Sequence, residues 1–248
     1  MATFAIKIFF MITGTGKGNI KEITQHLLND FGAKAVIFDL DGTLIDNNRY
    51  HLESWIKYLE STGRQMSEEE YNKKINGRTN RDVIKYIYNR PMEDEEIEKF
   101  TQEKEAVYRE TYKNHIQPVA GLLPFLQALH ELNIPMAIAT SGIEPNIDFM
   151  FENIPIKKYF QAVVNSAHIS RGKPDPEIYI KTASLLNIPP NECLVFEDAV
   201  VGINAAKAAG MKVVAIATTH VKEELTGADM IIDDYFFKNS RNNQSNNQ

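Results

Sequence analysis

Alternation of short apolar segments with helical segments is the feature of this sequence that most constrains its fold. After Pro118 and Gly121, short apolar runs are separated by stretches in which apolar residues recur at helical spacing. The predicted strands are 34–38, 135–139, 162–164, 194–196, 213–217 and 230–232, and the predicted helices are 122–132, 146–152, 176–186 and 200–209. This order predicts an α/β fold in which a doubly wound parallel sheet carries helices on both faces.

One long stretch interrupts the alternation. Residues 47–115 show helical periodicity and many charges but no convincing strand. Within this stretch, Ser67 begins a capping-box pattern, and Pro91 separates two further predicted helices, 81–90 and 93–113. We therefore predict that an α-helical cap domain is inserted after the first strand of the sheet.

The remaining boundaries follow from helix signals and composition. Asn19 is a preferred N-cap residue type and Gly32 is a helix stop, so a helix is predicted at 20–31, before the first strand. The predicted domains are an N-terminal leader and helix at 1–33, an α/β catalytic core at 34–46 and 116–237, a helical cap at 47–115 and a disordered tail at 238–248. The tail is predicted to be disordered because it contains no apolar residue.

Charge and cysteine content exclude several functional classes. Lys plus Arg is 27 and Asp plus Glu is 33, which gives a net charge of −6 and argues against a broad nucleic-acid surface. Cys193 is the single cysteine, so an intramolecular disulfide and a cysteine metal cluster are excluded. The apolar run at 4–12 is too short to span a bilayer and lacks the features of a signal peptide. We therefore expect a cytoplasmic protein without nucleic-acid or membrane partners, and a monomer, since no coiled-coil pattern is present.

Two carboxylates directly follow the first predicted strand. Asp39 and Asp41 are spaced by two residues, so both can point to the same side of the chain. Adjacent acids in an apolar region are costly unless a positive charge compensates them. Mg²⁺ binds through one or two carboxylates together with phosphate oxygens and water. The pair therefore indicates a magnesium site, and Gly42 lets the backbone turn sharply beside it.

Three further motifs follow later in the chain. Thr140 and Ser141 come after a predicted strand and open toward a helix, an arrangement that suits phosphate, although these residue types also commonly begin helices. Lys173 lies in a loop and could neutralise a phosphate oxygen. Glu197 and Asp198 form another acid pair after an apolar strand. Ligands of open α/β sheets bind beyond the carboxyl ends of the strands, so the motifs predict one common site.

Together, these motifs resemble the four motifs of the haloacid dehalogenase superfamily. The matching residues are DLDGT at 39–43, TS at 140–141, Lys173 and ED at 197–198. The helical insert is similar to the cap of the β-phosphoglucomutase-like and sugar phosphatase branch. The resemblance covers residues 34–234 and implies a Rossmann-like core with an inserted cap. It also implies Mg²⁺ as the cofactor and a small phosphorylated metabolite as the substrate.

The resemblance assigns a role to each core motif. It implies that Asp39 attacks phosphorus and forms an aspartyl-phosphate, while Asp41 acts as general acid and then as general base. The implied phosphate-binding residues are Thr140, Ser141 and Lys173. The implied metal ligands are Asp39, the backbone carbonyl of Asp41, Asp198 and, directly or through water, Glu197. The presence of Asp41 favours phosphate chemistry over dehalogenation, because the dehalogenase branch lacks this second acid.

The cap leaves alternatives open. His51 matches a histidine on the first cap helix of the mutase, and either a contact with the site or a structural role fits it. Arg78 and Arg81 are both candidates to contact the substrate. Two positions depart from the mutase pattern. Asn47 stands where the mutase has threonine, and the mutase has a phosphate-binding lysine near the position of Ile143, which cannot take that role.

These departures favour a phosphatase, in which water attacks the aspartyl-phosphate. The alternative is a β-phosphoglucomutase-type phosphomutase, in which a second hydroxyl of the sugar takes the phosphoryl group. A catalytically idle binding module is the third hypothesis. The retention of both early acids and both late acids disfavours it.

Overall fold

The computed structural model describes residues 19–237. The predicted leader at 1–18 and the predicted tail at 238–248 lie outside these residues. In the described part of the chain, no helix is long and apolar enough to cross a membrane.

A parallel sheet forms the centre of the fold. Between residues 19 and 237, six strands pair in the order β3-β2-β1-β4-β5-β6, and every pairing is parallel. The strands are β1 Ala35–Phe38, β2 Met136–Ala139, β3 Ala162–Val164, β4 Cys193–Glu197, β5 Lys212–Ile216 and β6 Met230–Ile232. β1 lies between β2 and β4, with Phe38 beside Ile138 and Phe196. The predicted Rossmann-like, doubly wound α/β core is confirmed.

Helices flank this sheet and form the insert. The helices are α1 Ile20–Phe31, α2 Asn48–Ser61, α3 Glu68–Glu70, α4 Asn80–Tyr88, α5 Asp94–Tyr112, α6 Leu122–Glu131, α7 Glu144–Asn153, α8 Glu177–Leu186 and α9 Val200–Ala208. The 3₁₀ turns are Lys157–Tyr159, Ser166–His168 and Pro190–Glu192. Ser67 caps α3 as its pattern predicts, because its side chain accepts from Glu70 N–H at 3.1 Å. A π-helical turn, Tyr71–Ile75, then replaces the α-helix, which the sequence pattern did not predict.

Strand periodicity builds a core on each face of the sheet. Val36 and Phe38 join the larger apolar cluster, whereas Ala35 and Ile37 join the other, since alternate residues of a strand point to opposite faces. All four side chains are fully buried, as expected for a parallel sheet covered on both sides. On the larger side, the Phe38 and Phe196 rings stack with centroids 5.2 Å apart. The burial of both faces gives the strand ends a rigid support.

The inserted cap has an apolar cluster of its own. α2 packs against α5, and the cluster contains Trp55, Leu59, Ile75 and Ile84. Trp55 is buried in this cluster. The insert therefore has internal packing of its own, whereas tyrosines of α2 and α5 join the larger cluster of the sheet.

The chain enters and leaves the cap through two adjacent segments, which we call the neck. Val119 N–H donates to the Leu44 carbonyl at 3.0 Å, and Ile45 pairs with Pro118 in an antiparallel bridge. This pairing holds the outgoing and returning segments side by side at the carboxyl end of β1.

Candidate active site

The carboxyl ends of three neighbouring strands bring the motifs together. Asp39 directly follows β1, Ser141 lies two residues beyond β2, and Glu197 ends β4. Because Phe38 and Phe196 are in register, the next residues, Asp39 and Glu197, lie next to each other. The site is therefore a direct result of parallel strand pairing.

Lys173 is the cationic centre of the core motifs. Its side chain is 1% exposed, and its Nζ donates to Asp39 Oδ1 at 2.6 Å and to Glu197 Oε1 at 2.5 Å. Nζ also contacts the Ala139 carbonyl at 3.3 Å. Burial alone would lower the pKa of Lys173, but the Asp39 and Glu197 carboxylates outweigh burial and raise it. Lys173 is therefore a fixed positive charge beside Asp39.

Glu197 is surrounded by hydrogen-bond donors from the protein. Its Oε1 accepts from Lys173 and from the Tyr179 hydroxyl at 2.7 Å, and its Oε2 accepts from the N–H groups of Asp198 and Ala199, each at 3.0 Å. A Cβ at Gly202 would lie 1.7 Å from Oε1, so α9 needs a glycine to approach this carboxylate. The geometry makes Glu197 the support for Lys173, and its predicted part in metal binding remains a prediction.

Three carboxylates converge beside this single lysine. Asp39, Glu197 and Asp198 are all buried, and each has a carboxylate oxygen within 4.8 Å of the others. Burial and the neighbouring acids raise the pKa of Asp39 well above its ordinary value, although Lys173 opposes this. Burial and Glu197 raise the pKa of Asp198 to about 7. One lysine leaves excess negative charge, so this set of hard oxygen donors fits a cation such as Mg²⁺.

Asp41 has a different environment from Asp39. Asn47 Nδ2 donates to Asp41 Oδ1 at 2.6 Å, and Asn47 Oδ1 accepts from Gly42 N–H at 2.9 Å. Burial would raise the pKa of Asp41, but His51 and Asn47 outweigh burial and leave it below the ordinary value. Asn47, a departure from the mutase pattern, is thus a direct partner of the proposed acid–base residue.

The structure places His51 beside Asp41. Its Nε2 lies 3.3 Å from Asp41 Oδ1, and its ring stacks on Tyr108 with centroids 3.8 Å apart. On the other side of the ring, Nδ1 lies 3.0 Å from Lys104 Nζ. The stack and the lysine together hold the imidazole against Asp41.

A buried ion pair on α5 extends this network to the core. Lys104 Nζ and Glu105 Oε1 are 2.8 Å apart, and the two side chains are 1% and 3% exposed. Glu105 also accepts from Asn80 Nδ2 at 2.8 Å and from Asn146 Nδ2 at 2.7 Å. Since Asn146 belongs to α7 of the core, Glu105 links the cap to the catalytic unit.

The predicted phosphate-binding hydroxyls occupy different positions. Thr140 Oγ1 accepts from Gly142 N–H at 2.9 Å and so orders the turn after β2. Ser141 Oγ donates to the Gly77 carbonyl of the cap at 2.9 Å. Ser141 lines the cavity beside Asp39, so the turn joins the core site to the cap loop.

The two candidate arginines are separated by the structure. A cavity of about 60 Å³ lies between core and cap, and Arg78 lines it together with Asp39, Asp41 and Asp198. Arg81 instead pairs with Asp94 at 2.6 Å and lines an outer cleft of about 690 Å³. Ile143 also lines that outer cleft, and Asn80 borders both spaces.

Sequence reasoning missed Lys104, Glu105 and Tyr179, and it singled out Asn47 without predicting its contact with Asp41. For the pair on α5, a signal was present in the sequence. The buried stripe of this helix consists of residues at helical spacing, among them Thr101, Lys104, Glu105, Tyr108 and Tyr112. Two charged residues on such a stripe indicate a buried polar network. The many other charges of α5 conceal this signal, because they suggest a helix that is exposed to solvent all round.

Comparisons with known proteins agree with this geometry. A family model described as "Haloacid dehalogenase-like hydrolase" matches residues 36–216. The "Phosphorylated carbohydrates phosphatase" of Thermotoga maritima is 31% identical, over 72% of this chain and 82% of its own length. The "Beta-phosphoglucomutase" of Bacillus subtilis is 27% identical, over 80% of this chain and 88% of its own length.

A solved structure extends the similarity to three dimensions. The crystal structure of an Entamoeba histolytica protein, described as "HAD hydrolase, family IA, variant 3", superposes with a TM-score of 0.74. It is 32% identical and covers 84% of this chain and 96% of its own.

Proposed function

Because this chain belongs to the haloacid dehalogenase-like hydrolase family, we propose that it is an Mg²⁺-dependent phosphatase of small phosphorylated metabolites, sugar phosphates among them. The observation that carries the proposal is the position of Asp39. Its Oδ1 is held 2.6 Å from Lys173, and it lies in the same cavity as Asp41 and Asp198. A buried carboxylate beside a fixed cation and a second acid suits phosphoryl transfer.

In the first step, Asp39 attacks the phosphorus of the substrate and the bond to the leaving oxygen breaks. Lys173 occupies Oδ1, so we assign Oδ2 as the attacking atom. Asp41 gives its proton to the leaving oxygen, and His51 and Asn47 orient its carboxyl group. A bound phosphate ester would bring negative charge near Asp41, which would oppose the lowering of its pKa in the free site and favour the protonated acid.

In the second step, water attacks the aspartyl-phosphate. Asp41 takes the proton of the water, and the phosphorus–Asp39 bond breaks to release inorganic phosphate. Ser141 and Lys173 hold the phosphoryl group through both steps, and Thr140 orders the turn that carries Ser141. The Lys173 charge offsets the charge that spreads over the phosphoryl oxygens.

The proposed residues for Mg²⁺ are Asp39, Asp198 and the backbone carbonyl of Asp41. When bound, the ion would neutralise phosphoryl oxygens that one lysine does not neutralise. Both Glu197 oxygens already accept hydrogen bonds from the protein, which favours contact through water for this residue.

The second candidate function is a phosphomutase, which the similarity to the Bacillus subtilis enzyme favours. Asp39 and Asp41 would act in the same way, and a sugar hydroxyl would replace water. β-Glucose 1-phosphate separates the two functions. Rapid formation of glucose 6-phosphate with little free phosphate would establish the mutase, and release of phosphate would establish the phosphatase. The absence of turnover on all substrates would support an idle binding module.

We further propose the domain bounds given by the sequence, with the cap at 47–115 and the catalytic core at 34–46 and 116–237. The separate apolar cluster of the cap supports this division. A cytoplasmic monomer without nucleic-acid or membrane partners completes the proposal. Its net charge of −6 supports the lack of a nucleic-acid surface.

A screen of phosphorylated metabolites with Mg²⁺ tests the function, by measuring released phosphate and isomeric products. Intact mass after acid quenching tests the mechanism, because the wild-type protein should gain one phosphoryl group. Asp39→Asn should abolish both signals, whereas the exposed control Asp46→Asn should keep them. Retained turnover in Asp39→Asn would refute the covalent mechanism.

A further inference from the structure

Asn48 is a polar link between the late acid pair and the cap. It is the first residue of α2, directly after the neck. Its Nδ2 donates to Asp198 Oδ2 at 2.8 Å, and its Oδ1 accepts from Asn76 Nδ2 at 3.0 Å. The Tyr71 hydroxyl approaches the same Oδ1 at 3.4 Å. One side chain thus joins the end of β4 to the segment that precedes α4.

The contact fixes the orientation of the Asp198 carboxylate. The Thr219 hydroxyl also bonds to Oδ2, so this oxygen carries two protein donors. Oδ1 has one longer contact, from the Thr43 hydroxyl at 3.4 Å. The distribution of donors leaves Oδ1 as the less occupied oxygen of the carboxylate. A donor that holds one oxygen in this way is typical of the residues that surround a metal site.

The turn after Asp41 is shaped to admit this link. A Cβ at Gly42 would lie 2.1 Å from Asp198 Oδ2 and 2.3 Å from Asn48 Nδ2. The φ of Gly42 is +74°, a conformation that L side chains rarely adopt. Gly42 therefore serves the backbone turn and also leaves the space in which Asn48 and Asp198 meet.

The chemistry of an amide is required at position 48. The NH₂ group faces a carboxylate, and the carbonyl oxygen faces the NH₂ group of Asn76, so both ends have matching partners. A carboxylate would place a second negative charge beside Asp198, and an apolar side chain would serve neither partner.

We propose that Asn48 is a positioning residue that holds Asp198 for a divalent cation and couples cation binding to the cap segment 71–76. The inference rests on the metal site of the proposed function. By thermodynamic linkage, a cation that fixes Asp198 stabilises the Asn48–Asn76 contact, and the docked segment in turn increases cation affinity. Mg²⁺ affinity and hydrogen exchange in the segment 71–76 therefore both report on the hydrogen bonds that Asn48 makes to Asp198 and Asn76.

Titration calorimetry with MgCl₂ on the metal-free protein tests the first half of the proposal, without substrate or turnover. Asn48→Ala should weaken Mg²⁺ binding by about 10-fold or more, in the range found for residues that orient metal ligands. Asn76→Ala keeps the bond to Asp198 and should change the affinity by less than about 3-fold. Unchanged thermal unfolding of the metal-free variants controls for folding.

Hydrogen exchange of the segment 71–76 tests the second half. In the wild-type protein, Mg²⁺ should slow exchange in this segment. Asn48→Ala should lose this response even at Mg²⁺ concentrations that saturate the variant. Asn76→Ala should also lose it, although its Mg²⁺ affinity falls by less than about 3-fold. Asn72→Ala, in the same π-helical turn, is the matched control and should retain the response.

The outcomes separate this inference from the proposed function. A wild-type protein that binds no Mg²⁺ would overturn the metal site and the inference together. Wild-type affinity in Asn48→Ala would overturn the role of Asn48 and leave the metal site intact. An exchange response that persists in Asn48→Ala would overturn the coupling.

Discussion

Two buried ionic clusters, one in the core and one in the cap, contribute residues to the lining of the active-site cavity and differ in charge balance. The core cluster contains Lys173 with Asp39, Glu197 and Asp198, so three carboxylates surround one cation. The cap cluster pairs Lys104 with Glu105, and the other partners of Glu105 are the neutral amides of Asn80 and Asn146.

The pKa values follow this difference. Burial with mutual repulsion raises the pKa of Asp39 and Asp198 in the core cluster. Burial would also raise the pKa of Glu105, but Lys104 and His51 outweigh it and hold this pKa below the ordinary value. An unbalanced cluster can gain further positive charge from a cation, whereas a balanced cluster has its partners already. The core cluster therefore suits chemistry, and the cap cluster suits the positioning of cap and core.

The largest expected effect follows from changing the nucleophile in the core cluster. Asp39→Asn removes the attacking carboxylate and should lower kcat by about 10⁴-fold or more, as in other enzymes that lose a covalent nucleophile. Steady-state phosphate release on the best substrate measures the loss. A decrease of less than about 10-fold would show that the two clusters do not differ in chemical role.

Removing the lysine of the core cluster should cause the largest loss of stability. Lys173→Met leaves buried carboxylates without their cation and should cost about 3–5 kcal/mol. Urea unfolding of the metal-free protein measures the change. The control is Lys181→Met, an exposed lysine on α8, which should change stability by less than about 0.5 kcal/mol. A similar loss in both variants would contradict the special role of Lys173.

The cap cluster should respond less strongly. Glu105→Gln removes the charge that faces Lys104 and should cost about 1–3 kcal/mol in urea unfolding. Glu110→Gln on the same helix is the control, because its pair with Lys113 is exposed and contributes little.

The pH dependence of this loss has a defined sign. Because the folded pKa of Glu105 is lowered from its ordinary 4.5, its stabilising contribution is present above that pH and is lost as the pH falls through the folded value. The free energies of unfolding of wild type and Glu105→Gln should therefore converge in acid. A constant difference between pH 7 and acid would contradict this account.

The smallest effect concerns a contact between the cap loop at Gly77 and α9 of the core. A Cβ at Gly77 would lie 2.7 Å from Val201 Cγ2 and 2.9 Å from Ala199 Cβ, so Gly77→Ala should hinder docking of the cap loop. Gly63 has the same φ of +74° but no atom within 4 Å of its Cβ position, which makes Gly63→Ala a matched control. Each variant should lose about 1 kcal/mol of stability through backbone strain. Only Gly77→Ala should also raise KM, by a few-fold.

How much the sequence predicts differs between the same two clusters. Asp39, Lys173 and Asp198 are predictable because each lies in a short motif beside a strand or loop, and parallel pairing brings strand ends together. The contacts of Lys104 and Glu105 are not predictable in this way. Lys104 contacts His51, 53 residues away along the chain, and Glu105 contacts Asn146, 41 residues away. Local pattern cannot specify contacts that depend on the angle between cap and core.

The same limit applies inside the cap. Ser67 predicts a helix start, which the structure confirms, but nothing in the local pattern predicts the π-helical turn Tyr71–Ile75. This turn places Tyr71 and Ile75 in the apolar cluster of the cap, together with side chains of α2 and α4. Likewise, the choice between Arg78 and Arg81 requires the course of the loop before α4.

The neck has a consequence for how this architecture changes over evolution and in engineering. The segments joined by the Leu44–Val119 and Ile45–Pro118 pairings leave and re-enter the core side by side, so the two ends of the insert are held close together. The insert is thus connected to the core through two short, adjacent segments. We expect an exchange of the insert at these two points to change substrate preference, provided that the new cap supplies its own hydrogen-bond partners for the acids of the core.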